Sequence, residues 1–165
     1  MFSSARRRCE GRSARVRRAG RSKLIGLGVA VIAVTSMAAV SVAATTTVGT
    51  GNATVSGKSK TVVVNSSGVT LYILSGETVR NLKCVASACF KAWPPYKVSA
   101  NARLTKAKGV PGTLSKLHRI KGKFYQVMLN GHPLYTFAGD MGKKGSAKGQ
   151  GIKAFGGSWL VIPAI

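Results

Sequence analysis

Leu134-Tyr135-Thr136-Phe137-Ala138-Gly139-Asp140 has an echo sixty-three residues earlier, in Leu71-Tyr72-Ile73-Leu74-Ser75-Gly76-Glu77. Each copy reads Leu-Tyr, two residues of which the second is apolar, a small residue, Gly, then an acid. An internal repeat sets the architecture, because a repeated unit buries its apolar face against its neighbour. The acids set these copies apart. Beyond residue 23, Glu77 and Asp140 are the only carboxylate side chains in the chain.

Outward from the motifs the pattern is β. Before the first copy, Thr61-Val62-Val63-Val64 is a β-branched run, Asn65-Ser66-Ser67-Gly68 is turn chemistry, and Thr70 to Leu74 is the returning strand of a hairpin. Before the second, Leu114–Ile120 and Lys123–Leu129 read as strands around a Lys121-Gly122 turn. Asn130-Gly131 is a two-residue hairpin signal leading to a third strand over Pro133–Ala138. On Lys123–Leu129, Tyr125, Val127 and Leu129 share one face and Phe124, Gln126 and Met128 the other, so both faces are expected to be partly covered.

Behind each motif comes an irregular segment and a Trp with a strand behind it. Trp93 lies twenty-two residues beyond Leu71, and Trp159 twenty-five beyond Leu134. A short helix is expected around Ala86–Lys91, ended by Trp93-Pro94-Pro95-Tyr96, since Pro lacks an N–H and restricts its predecessor. Ala100–Val110 reads as a Lys-rich loop, Met141–Gly157 as irregular, and Trp159–Ile162 as a closing strand. The expected fold is all-β: a small compact domain of antiparallel hairpins over 61–165, built from two similar halves at about 61–98 and 123–163.

Before it, residues 1–23 hold nine Arg or Lys, and Leu24–Ala44 is uncharged and mostly apolar. A basic region, an apolar region and a small-residue exit is the layout of a signal peptide, with cleavage expected after Ala43 or Ala44. An uncleaved anchor is the competing reading, since the apolar run is long enough to span a bilayer, and contact with membrane would then run through residues 24–44. Both readings carry the rest of the chain out of the cytoplasm. Residues 45–60, rich in Thr, Ser, Gly and Asn, read as a flexible linker.

From Thr45 onward the chain holds seventeen Lys or Arg against two acids, a net of +15. Such a field favours anionic partners, which outside the cytoplasm are envelope polymers or lipid head groups. No basic cluster alternates with aromatics to stack bases, so nucleic acid is not expected. Cys84 and Cys89, in Cys-Val-Ala-Ser-Ala-Cys, form an isolated pair whose commonest fate in an oxidising compartment is a disulfide, which adds roughly 2 kcal/mol by the chain-entropy model. A redox thiol or a metal site adding His118 and His132 are the alternatives.

No nucleophile elbow, phosphate loop or zincin pattern is present, and neither His has an obvious catalytic partner. No catalytic residue, cofactor or metal site is expected. Glu77 and Asp140 read as loop anchors rather than a paired-carboxylate site, and Tyr72 and Tyr135 as core-edge residues with a bonded hydroxyl.

These residues together resemble the secreted repeat of unknown function found in bacterial lipoproteins with a Tyr-x-(Phe/Trp/Tyr)-x-x-Asp motif. Tyr135-Thr136-Phe137-Ala138-Gly139-Asp140 matches that motif, while the first copy departs at Leu74 and Glu77. Cys84, Cys89 and Trp93-Pro94-Pro95, the Asn130–Tyr135 run, and Gly149-Gln150-Gly151 with Phe155-Gly156-Gly157 and Trp159 are also similar to the family pattern. The resemblance covers about residues 61–163 and implies an exported envelope protein with no particular activity. The chain departs from a lipoprotein in having no Cys directly after its apolar run, where a lipobox needs one.

Three functions follow from these features. The first is a non-enzymatic exported module that binds at the envelope. The second is a redox or metal-handling role using Cys84, Cys89, His118, His132, Met128 and Met141. The third, and weakest, is a hydrolase using Glu77 and Asp140.

Overall fold

The computed structural model describes residues 45–165, and the expectations for residues 1–44 lie outside it. Among the described residues no helix is long and apolar enough to cross a membrane. The fold is mostly β. Among the described residues, helix is confined to α1, Ser87–Ala92, and a single 3-10 turn at Ala138–Asp140.

Three small sheets carry the chain. The first has the order β2-β1-β5, with β1 at Thr45–Val55, β2 at Lys58–Val64 and β5 at Arg103–Lys106. The second, β3-β10-β9, brings together Tyr72–Leu74, Gly157–Val161 and Lys153–Ala154. The third, β4-β7-β6, joins Lys97–Val98, Phe124–Leu129 and Leu114–Arg119, with β8, His132–Pro133, pairing the Met128–Leu129 end of β7.

The hairpin β6–β7 forms as its alternation predicts, and Gln126, Val127, Met128 and Leu129 are all buried, so both faces of β7 are covered. Asn130 and Gly131 both take positive φ, the requirement of a two-residue turn matched to strand twist. The expected third strand is shorter than its apolar run suggests. Only His132–Pro133 pairs with β7, after which Tyr135 makes isolated bridges to Tyr72 and Pro95.

Two stretches differ from expectation. Residues 45–60 form no linker: β1 runs through Val55 and pairs with β2 from Gly49↔Val64 to Val55↔Lys58. Its few apolar residues are well placed, since Val48, Ala53 and Val55 are buried, and Gly49 and Gly51 leave room for the Val64 side chain. Second, the Lys-rich loop over 100–110 contains β5, which pairs in parallel with β1 over Thr45–Val48. The domain is therefore not made of antiparallel hairpins alone. Backbone pairing on both edges of β1 orders a segment whose side chains bury little.

Candidate functional site

The two Leu-Tyr motifs meet. Tyr72 N–H donates to the Tyr135 carbonyl at 2.8 Å, and Tyr135 N–H returns the bond to Tyr72 at 3.0 Å. Leu71 and Leu134, one residue earlier in each copy, are both fully buried in one apolar cluster with Val63, Val127 and Ile162. The paired tyrosines face a second cluster that holds Trp93 and Trp159.

These indoles are stacked face to face, with ring centroids 3.9 Å apart and planes 4° from parallel. Tyr72 lies edge-on to Trp93 at 5.4 Å, and Tyr135 edge-on to Trp159 at 5.1 Å. The edge-to-face contacts suit the quadrupoles of the rings. Gly149 closes the layer: a Cβ there would come within 2.7 Å of the Trp93 ring and 2.9 Å of Tyr72, so no larger residue fits.

Around this aromatic centre the motifs exchange partners. Phe137 of the second copy stacks on Trp93 at 4.3 Å. Leu74 of the first copy stands opposite Trp159 in the β3–β10 register. The acids cross as well. Tyr72 Oη donates to Asp140 Oδ2 at 2.6 Å. Tyr135 lies beside Glu77, and Arg119 joins them, with Nη2 donating to Tyr135 Oη at 2.5 Å and lying 3.8 Å from Glu77 Oε1.

Both hydroxyls are held protonated. Burial pushes the Tyr72 hydroxyl well above its usual range, and the Asp140 carboxylate adds to this through its hydrogen bond and its charge. Burial also raises Tyr135, followed by the Glu77 charge, with Arg119 opposing.

Each acid orders a loop. Glu77 Oε1 accepts Lys83 N–H and Cys84 N–H, both at 3.0 Å, which fixes the entry to the disulfide loop. Cys84 and Cys89 are joined by a disulfide and are fully buried. His132 Nδ1–H donates to the Glu77 carbonyl at 2.7 Å and ties the β7–β8 turn to the same loop. Asp140 Oδ1 accepts Ser146 Oγ–H at 2.6 Å and Lys148 N–H at 2.9 Å, which folds the 141–148 loop back over its own 3-10 turn.

The eight motif residues Tyr72, Leu74, Glu77, Tyr135, Phe137, Asp140, Trp93 and Trp159 thus lie in one connected layer. Arg119 and Gln126 complete it and were not singled out in the sequence. Arg119 Nε donates to Gln126 Oε1 at 2.8 Å, and Gln126 Nε2 donates to the Leu134 carbonyl at 2.8 Å. Their signal was polar residues at strand positions whose alternation faces the core.

The arrangement has the chemistry of a structural keystone. Glu77 and Asp140 are 0% and 1% exposed, and Glu77 Oε1 and both Asp140 oxygens accept from the fold's own donors, while Glu77 Oε2 is buried without a hydrogen-bond partner. The metal and redox candidates are dispersed. The two sulfurs bind each other, exposed His118 stacks on Tyr125, and Met128 is buried while Met141 is exposed. Among the described residues no three His, Cys, Asp or Glu side chains are grouped as a metal would need.

Comparison with known proteins fits this picture. Residues 121–162 match a family described as a secreted repeat of unknown function, which bears out the resemblance over that segment. The match holds the second motif, Gln126, Gly149 and Trp159, while their partners in the first copy at 61–98 and Arg119 lie outside it. No curated protein and no solved structure matches the chain. A secreted family fits an exported protein.

Proposed function

We propose that this chain is an exported, non-enzymatic β module that binds anionic polymers of the cell envelope. The observation that carries the reading is the division of charge. The only two acidic side chains among residues 45–165 are buried beneath the motifs, so the sixteen basic side chains other than buried Arg119 face no acidic side chain at the surface. A field of one sign draws oppositely charged chains and makes their capture depend on ionic strength.

The reading has three further parts. Residues 1–44 carry the module out of the cytoplasm, as a signal peptide or as an anchor through residues 24–44. The ordered module begins near residue 45 rather than 61. Its two halves are copies of one unit, and the crossed acids, tyrosines and tryptophans support this by giving each copy matching contacts with the other.

The test is retention of the full-length chain on purified anionic wall material. Binding at low ionic strength that is lost by about 0.5 M salt is expected, because exposed charges more than a few ångströms apart are then screened. Equal release at low and high salt would sink the reading.

A further inference from the structure

We infer that the loop after Asp140 and the free end of the β1–β2 hairpin form a docking cleft for a linear phosphodiester polymer. The inference rests on the anionic-polymer reading above and gives it a site and a chemistry.

A cleft of about 600 Å³ opens here, with Thr54 and Ser56 on one wall and Lys143, Lys144, Lys148 and Gln150 on the other. Strand pairing adds two more lysines. The register Ala53↔Lys60 and Val55↔Lys58 places Lys58 and Lys60 on the sheet face shared by Val62 and Val64. Those valines, with Ala53 and Val55, pack against Ala147, so this is the face the loop covers. Lys143, Lys144 and Lys148 line the cleft itself, and Lys58 and Lys60 lie on the sheet face that packs against its loop.

The loop is built rather than draped. Asp140 Oδ1 holds Ser146 and the Lys148 amide, as described above. Thr54 N–H donates to the Gly145 carbonyl at 2.9 Å, and Thr70 Oγ1 donates to the Ser146 carbonyl at 2.6 Å. Residues 145–147 are thereby pinned, while the side chains of Lys143, Lys144 and Lys148 remain exposed. Holding charges in place before a ligand arrives reduces the ordering cost of binding.

Three lysines elsewhere, Lys83, Lys106 and Lys116, instead direct their ammonium groups at backbone carbonyls. The ammonium groups of Lys143, Lys144 and Lys148 make no hydrogen bond or ion pair with a described side chain or carbonyl. Their counterions must come from outside.

Three features select the ligand class. All the cationic lining is Lys, a compact point charge that meets phosphate oxygens singly rather than through a planar bidentate fork. The lining has no aromatic ring on which a base could stack. The site is concave, so it fits a chain better than a flat bilayer. Thr54, Ser56 and the amide of Gln150, whose Oε1 already accepts Val161 N–H, supply neutral donors for phosphate oxygens.

The test is titration of the full-length chain with a fluorescently labelled poly(glycerol phosphate) at several salt concentrations. Two variants of equal charge are compared: K143Q/K144Q/K148Q at the cleft, and K91Q/K121Q/K123Q elsewhere on the surface. All six lysines are exposed, so both variants are expected to melt like the parent. The cleft variant is expected to lose about tenfold in affinity with a visibly shallower salt slope, and the control under about threefold.

Equal losses in the two variants would overturn the cleft and leave the general polymer reading standing. Tighter binding to a carboxylate polysaccharide or to anionic phospholipid vesicles would overturn the phosphodiester class. Failure of the parent chain to bind the polymer or wall material would defeat both readings together.

Discussion

Asp140 and Glu77 hold the same place in two copies of one motif, yet they are compensated differently. Asp140 is held by neutral donors alone: the Tyr72 and Ser146 hydroxyls and the Lys148 amide. Glu77 accepts two amides and also faces the buried guanidinium of Arg119, which reaches Tyr135 as well. One carboxylate shapes a basic loop that stays open to solvent, and the other closes a disulfide loop over a buried cation. The same motif therefore does two jobs, and the nearest cation decides which.

The sharpest break in this comparison is Glu77→Gln. It leaves Arg119 buried without its counter-charge, and removing one member of a buried pair costs about 3–5 kcal/mol. Denaturant unfolding measures the loss. Asp140→Asn leaves no charge stranded and weakens three hydrogen bonds, for about 2–3 kcal/mol. If the two variants lost equal stability, Arg119 would not be what separates the sites.

Removing the disulfide through Cys84→Ser with Cys89→Ser costs about 2 kcal/mol, because the closed ring is short. That loss should fall on the Glu77 side, read as faster amide exchange at Lys83 and Cys84 than at Lys148.

The smallest effect at neutral pH belongs to the tyrosines, where Tyr72→Phe costs about 1–2 kcal/mol. Alkaline titration makes it visible. Both hydroxyls have folded-state pKa values above their unfolded value near 10, so their contribution is complete below about pH 10 and declines as pH rises above it. Tyr72→Phe and Tyr135→Phe should each flatten the alkaline loss of stability, followed by tyrosinate absorbance. An unchanged alkaline limb in both would contradict the buried, acid-paired hydroxyls.

Much of this was legible in residues. The alternation of Lys123–Leu129 and the Asn130-Gly131 pair predicted β7 and its turn, and two cysteines five residues apart predicted the bridge. The strand at 45–55 was not legible. Its order comes from backbone pairing to β2 and β5, which side-chain composition does not report. Arg119 was hidden among surface lysines because its burial depends on Glu77, forty-two residues earlier in the chain. The acids were marked as loop anchors, which the structure fits. That each serves the tyrosine of the other copy could not be read from either copy alone, since the crossing exists only once the two motifs pair.

The crossing is the central claim, and a double-mutant cycle tests it directly. Tyr72→Phe combined with Asp140→Asn should show a coupling of about 1 kcal/mol or more, because one change removes the shared hydrogen bond and the other weakens it. Tyr72→Phe combined with Glu77→Gln should be additive within about 0.5 kcal/mol. Additive behaviour for Tyr72 with Asp140, with coupling to Glu77 in its own copy, would contradict the account.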